Sequence, residues 1–574
     1  MKKLLIAILI FATAVPAAAI DRIIPDQDLH YDGAFIIPNT NTINPTQSTV
    51  NAGRAMAYNP DGNGGAGSLY VTCHHIKTLG VAEINIPTPQ IESTWSALPQ
   101  ATFLTTCNDI TGGIDKLGGI IDSTRTLGMV IMPAKGSQTT PKIYHTYTMI
   151  YQPQNISYPL AWSDTNLSSP NTQGWWRLSQ TPPTADDPIV TADYAMYALE
   201  IDQDWANANT GGKSLGVGMD RGQGGGSFGP TLYAISPWAS GNPPPASSTI
   251  PYKKLLGYSQ TNPIPNFSNG ERPEGAAWLK INNKQAFVVF GIGFSRYNNE
   301  YQSGLMYYGD PIWYGSGSKG YNGEPYFMKL MFFDTNDLAA VAAGTKESWE
   351  VVPYAKYNLV DHEMRPGAIG PQAQTRKQMG GMTYDKVNNK IYIGETAGGG
   401  NNRDMMVVHV YSLQDVGTTI NTTPPDEPSN IAFDPATNTL SWDAVTGAKW
   451  YKIYRRIPVK VGQYGTGIYE IAGTVVQKWV QDAIDAGDIV AGAGCDNAAS
   501  CYRYTSNGAV VYEDYPMALS TTNSWIDTKY TSFTYHEYKV TAMDNLTNES
   551  GISQPAEPTI TITNSALSGS FDLQ

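Results

Sequence analysis

Four carboxylates fall in separate stretches of this chain, each in or beside a turn between alternating apolar segments: Asp115, Asp193, Glu274 and Glu395. Loops held by rigid strands are where ligands are usually met. Two such carboxyl groups, one protonated and one ionised, can cleave a glycosidic bond; they stand roughly 5 Å apart in retaining enzymes and about 6.5–9.5 Å apart in inverting ones. Glu274 is assigned as the acid and Asp115 as base or nucleophile, with Arg54, His75, Asp193, Arg221 and Glu395 as substrate holders. Gly222 and Gly224–Gly226 surround Arg221, and Gly398–Gly400 follow Glu395, so a ligand can approach the backbone closely there. Carboxylates in turns more often cap a backbone or simply solvate, and the same residues equally suit a surface that binds without reacting.

The readily recognised reaction signatures are missing. The chain contains no G-x-S-x-G, no H-E-x-x-H and no P-loop. His74 and His75 on a strand point to opposite faces and cannot chelate one ion as neighbours. The Asn59–Gly64 turn lacks D-x-D-x-D-G, so structural calcium is unsupported and no metal or other cofactor is expected. Trp175–Trp176, Trp313–Tyr314 and Tyr307–Tyr308 offer flat rings for sugar stacking, although aromatics in β-proteins more often pack cores.

Export sets the setting. Lys2 and Lys3, an apolar run from Leu4 to Val15 and Pro16–Ala19 make residues 1–19 a secretory signal peptide. No later segment is long and apolar enough to span a bilayer, so no integral membrane segment is expected. The expected location is secreted, extracellular or cell-surface, with the periplasm as an alternative. The chain of 574 residues carries 37 Lys and Arg against 50 Asp and Glu, a net charge of −13, and has no basic run. Nucleic acid and anionic membranes are therefore poor partners. Cys73, Cys107, Cys495 and Cys501 are an even set, and in an oxidising compartment they favour two disulfides among three pairings. The short loop between Cys495 and Cys501 favours that pair, which leaves Cys73 with Cys107.

The elements that must position these residues are hairpins. Gly53–Asn59 leads through a glycine-rich turn to Leu69–Val71, Gly275–Leu279 through Asn282–Asn283 to Ala286–Val289, and Gly380–Asp385 through Asn388–Asn389 to Ile391–Ile393. Less regular copies begin at Gly118–Ile121 and Tyr194–Tyr197. Third strands are read at Val81–Ile86, Tyr144–Tyr151, Thr231–Ser236, Tyr326–Phe333 and Val407–Leu413, and fourth strands at Ala101–Thr106, Trp175–Ser179, Lys253–Tyr258 and Trp349–Tyr354. The fifth unit lacks a fourth strand, which Gly33–Ile37 near the N-terminus supplies. This order resembles the five-bladed β-propellers, which include several secreted glycoside hydrolase families; a sixth blade would have to lie in residues 296–325. The resemblance implies a central face that gathers the entry loops and the loops between second and third strands, Lys135 among them. The chain has neither the S-x-D-x-G-x-T-W box of sialidase-type propellers nor the W-M-N-D-P-N-G stretch of invertase-like furanosidases.

A Pro-rich linker at 418–429 separates this propeller unit, 20–417, from a second unit at 430–565, with a tail at 566–574. Leu440–Trp442, Tyr451–Tyr454 and Tyr538–Ala542 resemble strands of a fibronectin type III β-sandwich, interrupted by an insertion near 458–525 in which Val475–Ala486 could form a helix. The expected fold is thus all-β, a five-bladed propeller closed by an N-terminal strand plus a sandwich. The expected function is binding of glycan or an extracellular protein through the central face. The alternatives are a glycoside hydrolase or polysaccharide lyase using the loop carboxylates, and a structural component of an extracellular assembly.

Overall fold

The computed structural model describes residues 20–39, 53–73, 80–92, 94–112, 124–149, 159–179, 195–219, 229–259, 262, 264, 272–294, 305–308, 321–324, 326–359, 362, 364, 378–400, 405–415, 424–448, 450–456, 516–520, 522–526, 537–543 and 550. The protein is all-β, with several sheets. Residues 1–19, the part of the insertion from 458 to 515 with Val475–Ala486, Cys495 and Cys501, and the tail lie outside the described residues.

Among the described residues up to 415 there are five sheets of four or more strands, besides one two-stranded sheet. The first is Met56–Asn59, Ser68–Thr72, Gly80–Ile84 and Phe103–Asp109. The second is Thr124–Met132, Lys142–Met149, Leu160–Asp164 and Gln173–Ser179, with Thr249–Pro251 parallel on its outer edge. Ala195–Glu200, Leu215–Met219, Leu232–Ile235 and Lys253–Leu256 make the third. The fourth is Arg272–Ile281, Lys284–Phe294, Tyr326–Phe333 and Ala355–Asn358, with Asp21–Arg22 beside Lys284. The fifth is Gln378–Asp385, Lys390–Gly399 and Met405–Leu413, completed by Leu29–Ile37 from the N-terminal region.

Local chemistry explains the hairpins. Ile281 pairs with Lys284, leaving Asn282–Asn283 as a two-residue turn with Asn282 at φ 50°. Such turns need left-handed backbone, which asparagine tolerates. Beyond the turn, Ala277, Leu279, Val288 and Phe290 join a core with the fifth sheet, while Ala276, Trp278, Phe287 and Val289 join a core with the third. Burial on both faces is why this strand pair reads as a continuous apolar run.

Every sheet shares cores in this way. Ala57, Tyr70, Met129 and Ile143 link the first sheet to the second, and Trp162, Trp176, Val217 and Tyr233 link the second to the third. Phe35, Met406 and Val408 of the fifth pack on Met56, Leu69 and Val71 of the first. The first strand of each of these five sheets, its leading strand, touches the leading strands of at least two of the others, and the fifth sheet's touches the first's.

The N-terminal segment fastens the fourth sheet to the fifth. Arg22 pairs with Asp334 at 2.6 Å, and the buried Lys284 ammonium lies 2.9 Å from both Asp28 and Asp415. Asp32 takes Lys390 at 2.7 Å and Ser412 at 2.6 Å. A buried ion pair loses several kcal/mol when one partner is removed, so these contacts fix the segment in register.

Two strand assignments from the sequence shift. The second sheet leads with Thr124–Met132, so Lys142–Met149 is its second strand where Tyr144–Tyr151 was expected as the third. The outer strand of the fourth sheet is Ala355–Asn358 rather than Trp349–Tyr354. Pro353 cannot donate to a ladder, and Trp349 and Val352 are exposed. Within 296–325 the described strands are a two-stranded hairpin, Leu305–Tyr308 with Tyr321–Glu324, inserted between strands of the fourth sheet. That insertion lengthens the fourth repeat.

Two three-stranded sheets lie beyond residue 430: Ala432–Asp434, Thr439–Ser441 and Ser524–Ile526, then Trp450–Arg456, Pro516–Ser520 and Glu537–Met543. Phe433, Leu440, Trp442, Tyr451, Ile453, Tyr538 and Val540 form their core, with Phe433 stacked on Tyr538 at 4.6 Å.

Candidate functional site

Bulges shape the N-terminal ends of the leading strands. Register shifts occur between Thr126 and Gly128, Ala195 and Tyr197, Pro273 and Gly275, and Met379 and Met382. An extra residue in one strand re-aims its side chain. Glu274 is the extra residue of the fourth sheet. Glycine lets these strands approach: a Cβ on Gly381 would fall 2.5 Å from the Met56 nitrogen, and one on Gly275 would fall 2.7 Å from the Met382 nitrogen. The Gly381 N–H donates to the Gly53 carbonyl at 2.7 Å. This brings Arg54, which precedes the first leading strand, to Glu274.

Arg54 Nη2 lies 3.5 Å from Glu274 Oε2, with the two side chains 12% and 5% exposed. Arg54 Nε has no hydrogen-bond partner among the described residues. The pair joins the first and fourth sheets across the leading strand of the fifth. A guanidinium only donates, so Glu274 Oε2 is the acceptor in this contact.

The opposite ends of the leading strands carry a different network. Glu200 receives Lys135 at 3.2 Å and Lys386 at 2.7 Å, and Lys280 meets Asp202 at 2.8 Å. Burial pushes the Lys135 ammonium below its ordinary pKa, against the pull of Glu200. Lys135 was expected in a loop between second and third strands. It lies instead between the leading strand Thr124–Met132 and its neighbour Lys142–Met149, at the end away from Arg54.

Glu395 sits in the second strand of the fifth sheet and is 1% exposed. Its Oε2 accepts the Met364 N–H at 2.9 Å and lies 3.0 Å from His409 Nε2. Tyr31 Oη lies 3.1 Å from His409 Nδ1, and His362 stacks on Tyr31 at 3.8 Å. A carboxylate only accepts, so His409 Nε2 carries the proton; in the neutral ring Nδ1 then accepts from the Tyr31 hydroxyl. Burial, reinforced by the Glu395 charge, pushes the Tyr31 phenol well above its ordinary value. Sequence reasoning named Glu395 but missed Tyr31, His362 and His409. The available signal was a histidine at a core-facing position of an otherwise apolar strand.

Among the residues expected at the site, the structure brings Arg54 and Glu274 together and places Glu395 in the sheet interior. Asp115, His75, Asp193 and Arg221 lie outside the described residues. Cys73 and Cys107 form a disulfide between the inner and outer parts of the first sheet. Trp175 and Trp176 are buried, so neither is a surface platform. Among the described residues no group of three or more His, Cys, Asp or Glu side chains could hold a metal ion, and no helix is long and apolar enough to cross a membrane.

No family model matches the chain, and no curated protein matches it. Among solved structures, a Fn3-like protein from Clostridium thermocellum is 18% identical, covering 24% of this chain and 94% of its own, with a TM-score of 0.12. A luciferin-regenerating enzyme is 8% identical over 67% of this chain and 81% of its own, with a TM-score of 0.27. The FN1–FN3 domains of chicken CNTN1 are 12% identical over 75% of this chain and 97% of theirs, with a TM-score of 0.14. Scores this low establish neither a shared fold nor a shared activity.

Proposed function

We propose that this chain is an exported binding protein that takes a glycan at the hub where Arg54 and Glu274 meet. In this reading the five sheets are blades of a five-bladed propeller, and the two three-stranded sheets after the linker are a fibronectin type III-like sandwich serving as spacer or platform. Two features support the propeller: the succession of leading-strand contacts, and the N-terminal strand that completes the fifth sheet. The disulfide in the first sheet supports export to an oxidising compartment.

One observation carries the binding reading. Two opposite charges from non-neighbouring sheets are set side by side at bulged strand ends, an arrangement in which several strands converge on one small polar patch. Polar groups placed few and fixed in a recess give orientation and specificity to a ligand. Binding is preferred to hydrolysis because the charge set beside Glu274 is the Arg54 guanidinium.

A glycan array on the exported chain, followed by calorimetry on the hits, tests this. Arg54→Ala and Glu274→Ala should each weaken binding at least tenfold, while Lys386→Ala at the opposite strand ends should leave it unchanged. Undiminished binding by both hub variants would rule the hub out. Release of reducing sugar by the wild type, lost in Glu274→Gln, would replace binding with hydrolysis.

A further inference from the structure

We infer that Arg54 is a receptor for a carboxylate and that the hub ligand is an acidic glycan, an oligosaccharide bearing uronic acid residues. This rests on the reading that the ligand enters at the hub. An arginine offers Nε and one Nη as a side-on fork matched to the two oxygens of a carboxylate. In Arg54 the Nη2 arm reaches Glu274 only at 3.5 Å, and the Nε arm has no partner among the described residues. Charge-assisted N–H···O⁻ bonds ordinarily close to about 2.7–2.9 Å. The fork is held in place with its strongest bonds unmade.

A ligand carboxylate would satisfy both arms, and Glu274 would turn from Arg54 to a donor on the ligand. A uronic acid supplies that donor, because a ring hydroxyl stands on the carbon next to the one bearing the carboxylate. A neutral sugar offers hydroxyls without the charged acceptor pair, and a peptide carboxylate offers the acceptor pair without a neighbouring hydroxyl. The chain carries a net charge of −13. Long-range attraction does not draw an acidic glycan to such a surface, so recognition depends on a local cation such as Arg54.

The test is calorimetry with galacturonate, glucuronate and mannuronate trisaccharides, their methyl esters and a neutral galactose trisaccharide. At least one acid should bind tenfold or more tightly than its ester, a comparison that needs no variant. Arg54→Met should reduce the acid to the level of the ester, whereas Glu274→Gln should keep the preference for acid. Equal affinity for acid and ester, no binding of any acid, or acid binding untouched by Arg54→Met overturns the inference. Neutral-glycan binding that Arg54→Ala and Glu274→Ala abolish would leave the hub reading standing while this inference falls. Acid binding that neither hub variant alters would remove both.

Discussion

Two tyrosine–histidine pairs with buried imidazoles occupy comparable places in different sheets and end differently. In the second sheet, Tyr147 donates to His145 Nδ1, and His145 Nε2 lies 2.8 Å from Ser163 Oγ, which passes its own proton to the Ile110 carbonyl at 2.7 Å. In the fifth sheet, Tyr31 donates to His409 Nδ1, and His409 Nε2–H meets the Glu395 carboxylate. Both histidines are fully buried. One chain of bonds ends on neutral acceptors, and the other ends on a charge that also holds the backbone of Met364. The same two residue types therefore serve as neutral filling between the first and second sheets, and as an anchor for a loop between the fourth and fifth. The terminal acceptor decides which.

The comparison breaks most sharply at that acceptor. Glu395→Ala strips His409 and Met364 of their common acceptor and should cost about 3–5 kcal/mol in denaturant unfolding. Glu395→Gln keeps an acceptor oxygen and should cost clearly less. Equal losses would mean that the charge contributes nothing.

The next effect is on pH. Burial depresses the His145 pKa from 6.5 to about 3. The unfolded chain binds a proton near pH 6.5 that the folded chain refuses until near pH 3, so stability falls as pH drops through that window. The slope is about 1.4 kcal/mol per pH unit. Chemical unfolding between pH 6.5 and 4 should show it, and His145→Gln should flatten it. An unchanged slope in that variant would place the acid sensitivity elsewhere.

Smaller effects sharpen the contrast. Ser163→Ala removes one neutral acceptor and should cost about 1–2 kcal/mol, below Glu395→Ala. Tyr147→Phe and Tyr31→Phe each delete one donor to a histidine, at about 1 kcal/mol. Tyr31→Phe should in addition raise hydrogen exchange in Leu29–Ile37 and at Met364, because Tyr31 belongs to the strand that joins the N-terminal segment to the fifth sheet. A purely local response at both sites would make the two networks equivalent.

Much of the strand order was legible because its signals are local. The Asn282–Asn283 and Asn388–Asn389 turns, the alternation around them and the unfilled place beside Met405–Leu413 could all be read along the chain. The second sheet was misread because Thr124–Met132, which pairs with Lys142–Met149, was not picked out as its leading strand; Gly118–Ile121 lies outside the described residues. Local pattern cannot choose between two adjacent candidates when the partner strand lies farther on.

The site was less legible. Arg54 and Glu274 were picked out as loop charges, but 220 residues separate them, and their contact depends on glycines that bring three leading strands within backbone reach. Glu395 was picked for its glycine-rich surroundings, yet it meets a histidine of the third strand of its sheet and the backbone of a loop, and the N-terminal strand reaches it through that histidine. Residue type and spacing determined which side chains are able to carry charge, where the chain turns and which strands are apolar on both faces. Tertiary structure alone decided which charges meet and which end buried against a histidine, because burial and distance between remote residues are set by how sheets pack and not by neighbours along the chain.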